Sequence, residues 1–150
     1  MSQSLVKNLI HLIYSTKHRT PCLGANTRPD LDAYMSGILN NWESPATVIG
    51  GVADHVHVLF ALSKNYALKK VVEEVKKGSS KWLKTRGPEL QDFHWQNGYG
   101  GFSVSASNEE AVKRYIENQE EHHRTRTFQE EFREFLQRHE VEYDERYVWD

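Results

Sequence analysis

The order of elements along the 150 residues, β-α-β-β-α-β-α, predicts an α+β fold. Its first six elements match the split βαβ arrangement of a ferredoxin-like (RRM-like) fold, an antiparallel sheet with helices on one face. Two further observations support this. Apolar, β-branched runs recur at strand length, and two longer segments repeat apolar residues at helical spacing. A C-terminal helix bearing Tyr115 follows this core.

Asn8 to Lys17 (NLIHLIYSTK) is dense in apolar and β-branched residues and reads as a buried strand. Pro21, Gly24 and Pro29 punctuate a loop. Leu31, Tyr34, Met35, Ile38 and Leu39 then form a helical stripe ending near Trp42. Ala46 to Ala53 and His55 to Leu62 read as two strands. Ala67 to Lys84 carries Leu68, Val71, Val72, Val75, Trp82 and Leu83 on one helical face. His94 to Ser105 is aromatic and glycine-rich, an irregular strand. Ser107 and Glu110 form a capping-box pattern, so a helix is expected from Asn108 to about His123. Phe128 to Leu136 reads as a short helix before an acidic end. Residues 1–126 are taken as the functional body and 127–150 as an acidic tail of the same domain.

Composition bounds the function. Apolar residues make up 38% and charged residues 27%, which suits a globular domain. No apolar run approaches the ~18 residues needed to cross a bilayer, so no membrane partner is expected. The start, Met1-Ser2-Gln3-Ser4, lacks the pattern of a signal peptide. Cys22 is the only cysteine, which fits a reducing cytoplasm. The net charge of -2 hides an asymmetry: Lys64 to Arg86 holds eight basic and two acidic residues, and Phe128 to Asp150 holds eight acids and three arginines. The rest of the chain is mildly positive, and Lys76, Lys77 and Lys81 are candidate phosphate contacts. A plain solvated helix face is the alternative.

His55-Val56-His57 is the sharpest local feature. On a strand, residues i and i+2 share a face with Cα atoms ~6.6 Å apart. Two imidazoles at that spacing can share a metal ion, with Val56 pointing into the core. Buried without partners, they would be costly. Tyr115 and Gln119, i and i+4 on a helix, share a second face, and His122 continues it. Tyrosine can act as a covalent nucleophile, though its reference pKa of ~10 calls for assistance. The Gln119 carbonyl is a reasonable third ligand for a hard divalent ion. Tyr99 is a second candidate nucleophile, more in keeping with packing or base stacking. His11 reads as a hydrogen-bonded sheet residue, His122 and His123 as surface residues or alternative ligands, and Trp82 as core. Cys22 reads as inert. Asp54 is expected to face away from both ligands.

The triplet His55-Val56-His57 resembles the His-hydrophobic-His motif of the HUH endonucleases. Arg114-Tyr115-Ile116-Glu117-Asn118-Gln119 resembles the Tyr-x-x-x-Gln helix of their single-tyrosine branch, the small transposases of bacterial insertion sequences and their repeat-associated relatives. Ser15-Thr16-Lys17-His18-Arg19, Lys77-Gly78-Ser79-Ser80, Trp95-Gln96 with Gly98-Tyr99, and Tyr143 to Tyr147 also look like that family. The resemblance implies a DNA transposase that cuts and rejoins single-stranded, hairpin-forming DNA through a 5′-phosphotyrosine link. It implies a divalent ion, Mg²⁺ or Mn²⁺, held by His55, His57 and Gln119, with Tyr115 as nucleophile. It further implies a homodimer in which Tyr115 of one subunit completes the other's histidine site. The glycines of Asn97-Gly98-Tyr99-Gly100-Gly101 would permit positive φ and a mobile connection for such an exchange. Two other readings stay open: a non-catalytic nucleic-acid-binding module using Trp95, Tyr99 and Phe102, and a metal hydrolase acting through water.

Overall fold

The computed structural model describes residues 2–150. Four strands, β1 (Leu9–Ser15), β2 (Ala46–Val52), β3 (His55–Ala61) and β4 (Gly100–Val104), form one sheet in the order β2-β3-β1-β4. Every neighbouring pair is antiparallel. Helices α1 (Arg28–Asn41) and α2 (Leu68–Leu83) are the two crossovers of the split βαβ core.

Strand alternation assigns the two faces. Ile10, Leu12 and Tyr14 of β1 and Val56, Val58 and Phe60 of β3 point to α1 and α2. There they meet Leu31, Met35 and Leu39 of α1 and Val71, Val72, Val75 and Leu83 of α2. The intervening residues Ile13, His55 and His57, with Phe102 of β4, line the opposite face. That face is covered as well. Helix α5 (Phe128–Arg138) lays Phe128, Phe132, Phe135 and Leu136 on Ile13 and Phe102. All seven residues of β1 are therefore buried, as in any strand covered on both sides. The acidic tail thus begins as a packed helix, capped by Thr127, whose Oγ1 accepts from the Glu130 amide at 3.2 Å. No helix among the described residues is long and apolar enough to cross a membrane.

Three expectations are corrected. The aromatic segment from His94 pairs with the end of β1 through one antiparallel bridge, Trp95 with Thr16, and is continuous strand only from Gly100 onward. Lys76 explains why: its ammonium donates to the carbonyls of Gln96, Asn97 and Gly98 at 2.6, 3.2 and 2.8 Å, turning them toward α2 and away from the sheet. The tyrosine helix starts after a 3-10 turn, without the Ser107 cap, because the Ser107 hydroxyl pairs with Ser105 Oγ at 3.1 Å. It also divides at Asn118 (φ -102, ψ 25) into α3 (Glu109–Glu117) and α4 (Gln119–His122). Asparagine is a weak helix former whose side chain competes for the backbone.

The glycines before that helix do not form a hinge. No described glycine adopts the left-handed conformation, and Gly100 and Gly101 lie within β4. A Cβ on Gly100 would stand 2.5 Å from the Phe132 ring. Gly100 is there so that α5 can close on the sheet.

Candidate active site

The two-residue period of β3 puts His55 and His57 on the face opposite Val56, and both are fully buried. Each ring is oriented through Nδ1. His55 Nδ1 donates to Asp54 Oδ1 at 2.7 Å. His57 Nδ1 lies 2.8 Å from His11 Nε2. Both Nε2 atoms therefore face the same point. Asp54 corrects the expectation that it faces away: it sits in the two-residue turn between β2 and β3, where strand alternation does not apply. His11 is the hydrogen-bonded sheet residue expected of it.

Glu131, from α5, occupies the point where the histidines converge. Its Oε1 lies 3.0 Å from His57 Nε2, 3.0 Å from His123 Nε2 and 3.4 Å from His55 Nε2. Its Oε2 accepts from the Tyr115 hydroxyl. Because an ionised carboxylate only accepts, the His57 proton sits on Nε2, and Nδ1 accepts from His11. Gln119 is buried at the rim, its Oε1 3.3 Å from His55 Nε2 and its amide donating to the Tyr115 carbonyl at 3.4 Å. Arg126 donates from Nη2 to Tyr115 Oη at 2.8 Å. His122 stacks on the Tyr115 ring, with centroids 4.4 Å apart. Every buried side-chain nitrogen and oxygen among the described residues has a partner.

The electrostatics follow from this packing. Burial alone would raise the Glu131 carboxyl, but hydrogen bonds from His123, His55 and His57 hold it far below the usual carboxylate range. Burial pushes His57 down to about 4 despite Glu131, so its ring is neutral. Burial also opposes charge on His55, yet Asp54 and Glu131 outweigh it and raise that ring to about 9. The Tyr115 hydroxyl is raised above its ordinary value by burial and by its bond to Glu131, with Arg126 opposing.

The donor set fits a divalent ion. One ligand atom from each of His55, His57, His123 and Glu131 can be chosen so that all lie within 4.8 Å of one another. The 3.0–3.4 Å separations of the imidazole nitrogens from Glu131 Oε1 are those of neighbouring ligands around one ion, since each ligand sits about 2.0–2.2 Å from its metal. The Gln119 oxygen lies beside this group. A cation there would take over the charge-balancing role that the His55 imidazolium now plays between two carboxylates.

Tyr115, His55, His57 and Gln119 thus come together in one chain. The candidate phosphate contacts do not join them, because α2 lies across the sheet. Lys77 pairs with Glu74 at 3.1 Å and Lys81 is exposed, while Lys76 is committed to the loop carbonyls. Tyr99 stands next to Lys76, away from the histidines. Reading the sequence missed Glu131 and Arg126 and undervalued His123 and Asp54. A signal for Glu131 existed: it falls on the apolar stripe of α5 between Phe128, Phe132 and Phe135, where an acid is out of place.

Comparison with known proteins identifies the family and the fold. A family model described as "Transposase IS200 like" matches residues 4–119. His123, Arg126 and Glu131 lie beyond that match. No curated protein matches the chain in sequence. A Deinococcus radiodurans R1 protein assigned to the transposases superposes with a TM-score of 0.62 at 22% identity, covering 79% of this chain and 96% of that one. The REP-associated tyrosine transposase bound to a REP hairpin gives 0.58 at 13% identity, covering 79% and 72%. At such identities the likeness is one of fold.

Proposed function

The chain belongs to the IS200-like transposase family, and from that premise we propose that it cleaves and rejoins single-stranded DNA through a 5′-phosphotyrosine intermediate. One observation carries the reading: the Tyr115 hydroxyl and the Nε2 atoms of His55 and His57 converge on the same carboxylate, Glu131. A candidate nucleophile and a candidate metal site are therefore one site.

His55, His57 and Gln119 would hold the divalent ion, with Glu131 and His123 completing the set. The ion would be Mg²⁺ or Mn²⁺, as the family resemblance implies. When bound, the ion supplies Lewis-acid polarisation of the scissile phosphate. The protein's own groups do the rest. Asp54 and His11 hold the two imidazoles in register. Tyr115 attacks phosphorus, so the Oη–P bond forms and the P–O3′ bond breaks. The phenolic proton passes to solvent, and the departing 3′-oxygen takes one from solvent. Attack by a 3′-OH on the phosphotyrosine reverses the step without ATP, because the bond energy is kept in the covalent link.

DNA can approach Tyr115 from one side through a cleft of about 310 Å³ lined by His11, Ser105, Asn108 and Arg138. A second cleft of about 680 Å³ reaches Arg126 and His123. Lys77 and Lys81 would hold distant backbone phosphates across the sheet. The enzyme would act in the cytoplasm, on DNA that folds into hairpins like the one named for its structural relative. A homodimer belongs to the same reading; because Tyr115 bonds to Glu131 of its own chain, each site is taken as built in cis, not by the exchange between subunits that the resemblance implies.

The test is incubation with short single-stranded hairpin DNAs and Mn²⁺, read on denaturing gels. A protein–DNA adduct that vanishes in Tyr115→Phe is expected. Cleavage that persists in Tyr115→Phe would point to a hydrolase, and binding without cleavage to a non-catalytic module.

A further inference from the structure

We infer that Arg126 is a catalytic residue of strand transfer, the cation that neutralises the scissile phosphate beside the nucleophile. The inference rests on the phosphotyrosine reading above. Arg126 lies in the short segment between α4 and α5, past the family-matched stretch. Its Nη2 donates to Tyr115 Oη, the proposed attacking atom, at 2.8 Å. Its Nη1 is pinned by Glu134, so the fork is held in place before any substrate arrives. The side chain is 26% exposed and lines the cleft that also carries Arg28, His123 and Arg124. It is therefore open to a ligand on one edge and anchored on the other.

The chemistry follows from that placement. As Oη bonds to phosphorus and the P–O3′ bond breaks, negative charge spreads over the non-bridging oxygens. These oxygens sit two bonds from Oη, through phosphorus, within reach of a guanidinium already touching Oη. Arginine offers parallel donors matched to phosphate geometry. Fixed donors aimed at developing charge typically contribute 10²–10³-fold in rate. A purely structural role is the alternative, in which Arg126 does no more than tie Glu134 to Tyr115 and close the segment.

The experiment separates these. Adduct formation is timed for wild type, Arg126→Gln and Arg126→Lys in the full-length protein with Mn²⁺. Each is given a hairpin substrate with either an ordinary phosphodiester or an uncharged methylphosphonate at the scissile position. Hairpin affinity and thermal melting serve as controls. Arg126→Gln should slow adduct formation on the phosphodiester by about 10²–10³-fold, with hairpin affinity within twofold of wild type. Arg126→Lys should recover about tenfold. On the methylphosphonate, which starts uncharged and develops one unit less negative charge, the Arg126→Gln deficit should shrink below about tenfold. A deficit under threefold on the phosphodiester overturns the proposal, as does an equal deficit on both substrates. If wild type itself forms no adduct, the phosphotyrosine reading fails and takes this role with it. If wild type forms one and only the Arg126 outcomes fail, the reading stands and the arginine is structural.

Discussion

Glu131 Oε1 lies 3.0 Å from His57 Nε2, joining the C-terminal helix to a central strand residue 74 positions earlier. The acid sits in a helix that otherwise buries phenylalanines, and its charge is matched by three imidazoles and a phenol. A buried carboxylate survives only with such partners. The same partners make it a candidate ligand.

Glu131→Gln should therefore weaken Mn²⁺ binding by at least tenfold, the lower end of what losing even an outer partner of a metal site costs. His55→Ala with His57→Ala should abolish binding, and Gln119→Ala should weaken it least, since a neutral amide is the poorest donor of the set. Calorimetric titration of Mn²⁺ reads all three. Unchanged affinity in Glu131→Gln would remove that residue from the ligand set and leave it a packing partner of the histidines.

Gly100→Ala should destabilise the protein by about 1–3 kcal/mol, the usual cost of overpacking a closed core. The new methyl would meet two Phe132 ring atoms at 2.5 and 2.9 Å. In a chain of this length the loss corresponds to roughly 2–4 °C per kcal/mol in Tm. Adding Phe132→Leu should return part of it. If the single variant melts like wild type, α5 does not close on β4 as described.

Asp32 gives a pH dependence away from the histidines. Burial raises its carboxyl to about 7, with Arg28 opposing. An unfolded Asp titrates near ~3.9. Between the two values the folded state binds more protons than the unfolded one, so stability falls as pH rises through that window and levels off above it. Asp32→Asn should raise Tm relative to wild type at pH 8, by less at pH 5.5, and not at all below pH 4. Melting curves at the three pH values check this, and a constant difference across them would contradict the assignment.

Much of the fold was legible because its signals are local. Apolar, β-branched runs marked β1 and β3, and helical stripes marked α1 and α2. The order of these elements left few topologies, and the observed antiparallel sheet is the one expected. The facing of His55 and His57 followed from strand geometry alone, as did the burial of Val56 on the opposite side. Element ends were less legible. Asn118 breaks a helix that Tyr115 and Gln119 were expected to share, and the Lys76 contacts interrupt the pairing between the Trp95 bridge and Gly100.

The sequence by itself determined which residues could do chemistry and which face of β3 they share, because backbone periodicity acts over two to four residues. Only the tertiary structure decided what completes the site. Glu131 and Arg126 lie on a segment whose docking depends on Gly100 admitting Phe132 and on Ile13 and Phe102 receiving the α5 phenylalanines. Asp54 turns toward His55 because a turn, not a strand, sets its direction. These contacts join residues far apart in the chain, and no local rule of spacing encodes them. They exist only once the hydrophobic face of α5 has chosen the sheet it covers.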